Sequence, residues 1–284
     1  MKWMGIGALI DASWEDYRKS LGDFLRITGW LLVFVAVHIV AVAFYPIGGQ
    51  ALDRDLTNSE VVGVILFLLN ALILLPVISI WSVHALIRAI DTRAQGNRVG
   101  MRSVSREAWK NFFPQIWVRI LTGVTYIVGA AIPLGVMFLV TNVLGGILPY
   151  GISLVLLLLG LALFVIPLAL LIHLAFVFFE FVLEGKRGWQ AVHHSAVRVH
   201  KNFWPVAWRL IIPKALYFIV FFLAQYLLLI VLRVILLATL PTDDPLLSVR
   251  IEWILLPLTN VVLLVFLNPL LFVTDYRVYR QLTS

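Results

Sequence analysis

The sequence has no cysteine and little charge. Without cysteine among the 284 residues, disulfides, thiolate metal sites and cysteine nucleophiles are excluded. Only 13% of the residues are charged, whereas a soluble domain carries about 25% because its surface must face water. Hydrophobic residues make up 62% of the chain. Charged residues are too few to cover the surface of a soluble protein, so we expect the chain to be surrounded by lipid.

Six continuous apolar runs divide the chain. Each approaches or exceeds the roughly 20 residues that a helix needs to cross a hydrocarbon core about 30 Å thick. They lack the polar–apolar alternation of membrane β-strands. The runs are Ile27–Tyr45, Val61–Ile87, Ile120–Val143, Ile152–Phe179, Ala215–Leu232 and Trp253–Val273. The sequence therefore predicts an all-α, polytopic membrane helical bundle of about six transmembrane helices.

Basic residues are concentrated on one side of this predicted bundle. The two termini and the second and fourth connections hold 19 of the 22 Lys and Arg residues, and the other three connections hold only Arg54, Arg233 and Arg250. Because basic loops stay in the cytoplasm, we expect both termini to be cytoplasmic. The apolar stretch Trp3–Ile10 is short and lacks a cleavage site, so we expect it in the mature protein.

A short motif recurs 91 residues apart. Lys110–Pro114 reads Lys-Asn-Phe-Phe-Pro, and Lys201–Pro205 reads Lys-Asn-Phe-Trp-Pro. The same displacement relates two further pairs, Trp117 with Trp208 and Pro76 with Pro167. We interpret this as an internal repeat of an amphipathic helix, a span, an outer loop and a return span. The interpretation is a single membrane domain, 1–284, with repeats at approximately 8–92, 98–183 and 187–280.

Each repeat begins with a segment of helical period. The predicted apolar face of the first segment includes Trp14 and Tyr17, and that of the third includes Trp189 and Val192. Such helices can lie in the headgroup layer, with aromatic side chains at its boundary and basic side chains toward anionic lipid. Alternatively, they cap the cytoplasmic face of the bundle. The candidate headgroup contacts are Arg102, Arg106, Lys110, Lys186, Arg187, Arg198 and Lys201.

The third segment also carries a family resemblance. Phe179-Glu180, Gly185–Gly188, Ala191–Ser195, Lys201–Trp204 and the ending Pro269–Arg280 together resemble bacterial membrane proteins related to the glycerophosphoryl diester phosphodiesterase membrane domain. The resemblance implies a six-helix integral membrane module. In the named enzymes a separate soluble barrel carries catalysis. That barrel has no counterpart in this sequence, so phosphodiesterase activity and catalytic residues are not implied.

Several polar residues and prolines interrupt the apolar runs. His84, His173, Asn70 and Asn268 are candidates for a polar pathway through the membrane. The alternative is that such side chains join neighbouring helices by hydrogen bonds. Three prolines inside return spans are candidate kinks, since the ring removes an intrahelical bond, and kinks could surround a binding cavity. They are Pro76, Pro167 and Pro269.

Acidic residues lie near the cytoplasmic ends of the three return spans. Asp91, Glu180 and Asp275 could bind a cation together. The more ordinary expectation is ion pairing with Arg88, Arg187 and Arg277. The sequence contains no zinc-protease, serine-hydrolase or phosphate-loop motif. We therefore predict no catalytic, cofactor or metal site. For the segment that carries His193, His194 and His200, we expect basic residues in contact with lipid phosphates rather than metal ligands.

These observations favour a non-enzymatic, lipid-interacting or scaffolding module of the inner membrane. The expected partners are membrane lipids, especially anionic ones, and either a membrane protein or a second copy of the chain, but no nucleic acid. A small-solute transporter or channel is the alternative, because repeats, kinked return spans and intramembrane His and Asn occur in transporters. An intramembrane enzyme acting on lipid ranks last, because no acid, base and nucleophile cluster.

Overall fold

The computed structural model describes residues 3–46, 55–144, 150–239 and 245–283. Within these ranges the chain is helical and contains no strand, which confirms the all-α prediction. Four predicted outer-loop charges, Asp53, Arg54, Asp243 and Asp244, lie outside the described residues. The helices are α1 Ile6–Thr28, α2 Leu31–Phe44, α3 Asn58–Leu69, α4 Leu75–Ala94, α5 Met101–Lys110, α6 Phe112–Phe138, α7 Tyr150–Ala162, α8 Val165–His173, α9 Val177–Leu183, α10 Trp189–His200, α11 Phe203–Thr239 and α12 Pro245–Thr283.

Within the described residues, five helical stretches are long and apolar enough to cross a membrane. They are Asn58–Ala94, Phe112–Asn142, Gly151–Leu183, Phe203–Leu236 and Val249–Thr283. Each contains or overlaps a predicted run, but the helices extend beyond the apolar residues because backbone hydrogen bonding continues into the polar boundary. Apolar side chains such as Leu72 and Phe222 are 70% and 64% exposed. Exposed apolar surface on long helices is characteristic of a membrane protein.

The first predicted run is not one straight helix. Helices α1 and α2 meet at Gly29 and Trp30 with a bend of 43°, and the pair counts as a sixth span only if it is taken together. Alone, α2 has 14 residues, fewer than the roughly 20 that a span needs. The prediction of about six spans is therefore met by five helices and one bent pair.

Local signals fix several helix ends. Thr57 and Glu60 form a capping box at the start of α3, in which the Thr57 hydroxyl accepts from the Glu60 N–H and the Glu60 carboxylate accepts from the Thr57 N–H. At the end of α4, Gly96 has a φ of 78°, and its N–H donates to the Arg93 carbonyl at 2.9 Å. The Asn97 N–H donates to the Thr92 carbonyl, which completes a Schellman motif.

The three prolines predicted as kinks have different surroundings. Pro76 lies in the first turn of α4, directly after a π-helical segment, Asn70–Leu74. Pro167 follows a turn at Leu163 and Phe164 that separates α7 from α8. Pro269 lies inside the uninterrupted helix α12. A π-helical segment or a turn changes helix direction by itself, so the kink prediction is best supported at Pro76 and Pro167.

The chain divides into two compact units. The larger comprises Met4–Lys110 and Ile211–Arg277, and the smaller comprises Met1–Trp3, Asn111–Leu210 and Val278–Ser284. The predicted division into three repeats is a different partition, and its boundaries stay a prediction.

The larger unit has a core formed by α2, α4 and α12. Leu31, Val35, Ile78, Val261 and Val265 are buried in one cluster. Helices α2 and α3 also approach closely, since a Cβ added to Gly63 would lie 2.5 Å from the Phe44 carbonyl carbon. Small residues permit such close packing of membrane helices.

The smaller unit contains a cluster of aromatic residues from the ends of the second and third return spans. Phe176, Phe179 and Tyr279 are at most 1% exposed, and the Phe179 and Tyr279 rings stack with centroids 5.4 Å apart. Gly188 begins α10 with a φ of 53°, a left-handed conformation that favours glycine. The last residues of α12 are thus packed against α9.

Candidate functional site

Helix α5 separates a buried apolar side from a cationic side. Val104 and Ala108 are buried, whereas three predicted headgroup contacts, Arg102, Arg106 and Lys110, are exposed. Within the described part of the chain, none of these three cations has an acidic partner within 4 Å. Their charges are therefore available to an external anion.

The one acid of α5 is engaged elsewhere. Glu107 Oε1 accepts a hydrogen bond from Arg88 Nε at 2.7 Å and lies 2.6 Å from Arg88 Nη2. Two nitrogens of the α4 guanidinium therefore contact this oxygen. His84 Nε2 lies 3.9 Å from the same oxygen, and its side chain is 1% exposed. The positive charge of Arg88 offsets the negative charge of Glu107. The exposed side of α5 therefore has a positive electrostatic potential.

An apolar cavity of about 410 Å³ lies beside α5 in the larger unit. Its wall contains three indoles, of which Trp30 and Trp81 meet edge to face with centroids 6.4 Å apart. Arg102 and Ser105 are its polar lining residues. The full lining is Trp30, Val77, Ile78, Trp81, Met101, Arg102, Ser105 and Trp109. Cavities of about 300–1,000 Å³ with a mostly apolar wall and few polar groups are typical ligand sites.

Helix α10 differs from α5 in its use of arginine. Arg198, predicted as a headgroup contact, instead pairs with Glu180 of α9 at 3.0 Å, and the Glu180 side chain is fully buried. Arg198 Nη1 also donates to the Tyr279 hydroxyl at 3.1 Å. The Tyr279 hydroxyl donates to Glu184 Oε1 at 3.3 Å. Arg198 is therefore an internal residue of the smaller unit.

The remaining predicted headgroup contacts lie at the two ends of α10. Arg187 and Lys201 are exposed, and among the described residues neither has an acidic partner. Lys186 is partly exposed, and its backbone N–H donates to the Glu180 carbonyl at 3.1 Å. These positions remain open to an anion, in contrast to Arg198.

The buried faces of α1 and α10 coincide only in part with the predicted apolar faces. In α1, Ser13, Tyr17 and Ser20 are buried, whereas Trp14 is 47% exposed. In α10, Ser195 is buried and donates to the His173 carbonyl at 2.7 Å, whereas Trp189 is 59% exposed. Small serines allow a helix to approach its neighbour closely, and tryptophan is favoured at membrane–water boundaries. Of the predicted faces, Tyr17 and Val192 are therefore buried, whereas Trp14 and Trp189 are not, so apolar periodicity placed the faces only in part.

The predicted pathway residues occupy separate places. Asn70 is 1% exposed and donates from Nδ2 to the Phe34 carbonyl of α2 at 3.0 Å. His173 Nδ1 lies 2.8 Å from the Ala169 carbonyl of its own helix. Asn268 is partly exposed and has no polar partner among the residues described. None of His84, His173, Asn70 or Asn268 lines the cavity beside α5.

The acids of the return spans are paired, but not with the predicted arginines. Asp91 accepts from the Tyr276 hydroxyl at 2.8 Å, and Asp275 pairs with Lys214 at 2.8 Å. Arg277 pairs with Asp16 at 2.6 Å. Helix packing, rather than proximity in sequence, determines which side chains pair with these acids. Across the ranges that the structure describes, no three His, Cys, Asp or Glu side chains group as metal ligands.

Three of these ion pairs share a register that sequence reasoning missed. Asp16, Glu107 and Arg198 lie on α1, α5 and α10 at successive displacements of 91 residues. Each pairs with a return span, through Arg277, Arg88 and Glu180 respectively. The sequence did contain a signal for this register. The 91-residue displacement of the Lys-Asn-Phe motif also relates these three charged positions, although their charges differ in sign.

Comparisons with known proteins give no relative. The sequence matches no family model, no curated protein and no solved structure. The relation to the glycerophosphoryl diester phosphodiesterase membrane domain therefore stays a prediction from short motifs.

Proposed function

We propose that this chain is a non-enzymatic, multi-pass module of a bacterial inner membrane that binds anionic lipid through the cationic sides of α5 and α10. The observation that carries the proposal is the division of charge within the described residues. Acids are held by internal ion pairs, as in Glu107–Arg88 and Glu180–Arg198. Arg102, Arg106 and Lys110 have no such partners, and lipid phosphates would supply the missing anions.

The position of these cations relative to the spans supports a headgroup contact. Helix α5 ends at Lys110, and the next candidate span begins at Phe112. Trp109 of α5 and Phe113 of α6 are 52% and 79% exposed. Aromatic side chains next to basic residues at the end of a span are favoured at the level of the headgroups.

A three-unit repeat with both termini in the cytoplasm is part of the proposal. The charged register Asp16, Glu107 and Arg198 supports the repeat, because each initial helix uses the same register position to pair with a return span. The concentration of Lys and Arg in alternate connections supports the orientation. The short motifs that resemble the diester phosphodiesterase membrane domain support a bacterial inner membrane. A scaffolding role with a membrane-protein partner or second copy belongs to the same proposal.

Transport by the same chain is the second candidate. It would need a polar cavity near the membrane centre lined by residues such as His84, His173 or Asn268. In the described structure, Asn70 and His38 instead bond to backbone carbonyls of neighbouring helices, at 3.0 Å each. That use as helix-joining groups favours the lipid-binding module.

Reconstitution into bilayers tests the lipid-binding proposal. The protein is placed in nanodiscs of phosphatidylcholine alone or with phosphatidylglycerol, and its melting temperature and retained lipids are measured. We expect enrichment of phosphatidylglycerol and a higher melting temperature in the anionic bilayer, both reduced by salt. Equal retention and equal stability in the two bilayers would refute the proposal.

A pair of matched triple variants localises the effect. Arg102→Gln, Arg106→Gln and Lys110→Gln together remove three unpartnered cations from α5. Arg18→Gln, Lys19→Gln and Arg26→Gln remove the same charge from α1, where Lys19 pairs with Glu15 at 2.6 Å and Arg26 lies 3.9 Å from Asp23. We expect the α5 variant to lose more of the anionic enrichment than the α1 variant.

A further inference from the structure

The cavity beside α5 combines an apolar wall with one unpartnered cation. Trp30, Trp81 and Ile78 form part of the wall, and Arg102 and Ser105 come from α5. Arg102 is exposed, and within the described ranges its guanidinium contacts no acid. A cavity of this kind matches an amphiphile, because one end of the occupant needs apolar contact and the other needs an anion.

The charge around the cavity selects the sign of the occupant. Glu107 is the only acid on α5, and Arg88 holds it at 2.6 Å. Arg106 and Lys110 add positive charge on the same helix. A neutral amphiphile would leave Arg102 without a counter-charge, whereas a phosphodiester accepts two of its hydrogen bonds at once.

The indoles set the depth of the occupant. Trp30 is 55% exposed and Trp81 is 7% exposed, so that the wall runs from an open rim into the packed face of α4. Amphipathic indole rings are favoured where headgroups meet acyl chains. An occupant whose phosphate reaches Arg102 would lay the first part of an acyl chain along these rings.

We propose that this cavity is a specific site for one anionic phospholipid of the surrounding bilayer, with the phosphate at Arg102 and an acyl chain against Trp30 and Trp81. The inference rests on the proposed function and narrows it from a general charge preference to one saturable site. Arg102 and Ser105 act as headgroup contacts there. Trp109, near the C-terminal end of α5, also lines the cavity.

The first experiment compares two arginines of α5 by native mass spectrometry. Wild-type protein, Arg102→Gln and Arg106→Gln are titrated with phosphatidylglycerol. The variants remove the same charge from the same helix, but only Arg102 lines the cavity. We expect one saturable adduct in the wild type, weakened about fivefold or more by Arg102→Gln, as for the loss of one cation–phosphate contact, and less than twofold by Arg106→Gln.

A second pair of measurements keeps the test independent of folding defects. Ser105→Trp fills the cavity without a change of charge and should abolish the saturable adduct while phosphatidylglycerol enrichment in nanodiscs persists. A phosphatidylglycerol with a photoactivatable group in its acyl chain should crosslink to the segment that contains Trp30 or Trp81. Glycerol phosphate, which lacks the chain, should not compete.

The outcomes separate this site from the general proposal. Equal weakening by Arg102→Gln and Arg106→Gln, or an unchanged adduct in Ser105→Trp, would overturn the cavity site and leave the broader lipid preference standing. Competition by glycerol phosphate would identify a water-soluble phosphate as the occupant and would also overturn it. No preference for phosphatidylglycerol over phosphatidylcholine in the wild type would refute both.

Discussion

Helices α5 and α10 occupy equivalent places in the proposed repeat but use their charges in opposite ways. In α5 an acid, Glu107, is held by an arginine of the preceding span, and the cations of the helix have no acidic partner among the described residues. In α10 a cation, Arg198, is held by a fully buried acid of the preceding span. The contrast teaches that a basic helix is not automatically a lipid-binding surface, because tertiary packing decides which charges remain available.

The two pairs also differ in exposure. Arg88 and Glu107 are 32% and 37% exposed, whereas Glu180 is fully buried beside an Arg198 that is 25% exposed. Water therefore screens the first pair more than the second. We expect the pair in the smaller unit to be structurally critical and the pair in the larger unit to be replaceable.

Removal of Arg198 should have the largest effect. Arg198→Met leaves the buried Glu180 carboxylate without its counter-charge, and we expect a loss of about 3–5 kcal/mol in the free energy of unfolding. Denaturant titration in detergent measures the loss. The double variant Arg198→Met with Glu180→Gln should recover most of it, since no buried charge is left. A loss below about 1 kcal/mol in the single variant would contradict the distinction between the pairs.

Two tyrosines of α12 permit a matched comparison between the units. Tyr279 bonds within the smaller unit to Arg198 and Glu184, and Tyr276 bonds within the larger unit to Asp91. Replacement of either by phenylalanine keeps the ring and removes the hydroxyl. Because the partners are charged side chains, we expect a loss of about 1.5–3 kcal/mol in each case by the same titration. A much larger loss for Tyr279→Phe would mean that its hydroxyl fixes the Arg198–Glu180 pair.

Removal of Arg88 should cost less than removal of Arg198. Arg88→Met opens a partly exposed pair, for which we expect a loss of at most about 1 kcal/mol in the free energy of unfolding. The exchange Arg88→Glu with Glu107→Arg places the acid on the span and the cation on α5, as in the smaller unit. It should restore the stability that Arg88→Met loses. Failure of the exchange would show that the orientation of this pair matters.

Removal of Arg106 should hardly affect stability. Among the described residues its guanidinium has no acidic partner, and surface changes of this kind alter the free energy of unfolding by less than about 0.5 kcal/mol. Thermal unfolding of Arg106→Met in detergent checks this, with Arg198→Met as the contrasting variant. A large loss would mean that α5 is tied to the protein by its cations, and the contrast between α5 and α10 would disappear.

The spanning helices were predictable because continuous apolar runs have few other solutions. The bend at Gly29 and Trp30 was not predictable. No proline marks it, and Leu31 and Val265 of the adjacent core come together only in the folded protein. The faces of α1 and α10 were predicted only in part because period alone does not distinguish a buried serine from a boundary tryptophan.

The candidate site was predicted in part. The cations of α5 were identified from charge and period, and their contact with lipid stays a prediction. The cavity was not, because Trp30, Trp81 and Trp109 come from three distant segments of the sequence. The partner of Arg198 was also missed, since Glu180 becomes adjacent only when α9 and α10 pack together. Local sequence patterns do not show which distant segments contact each other.

The bend between α1 and α2 has a mechanical consequence for the bilayer. At 1.5 Å per residue, the 14 residues of α2 reach only about 21 Å, against a hydrocarbon thickness of about 30 Å. To match this length, either the bilayer beside α2 becomes thinner or the turns of α1 enter the hydrocarbon layer. In the proposed six-span arrangement, we therefore expect the α1–α2 pair to respond to membrane thickness.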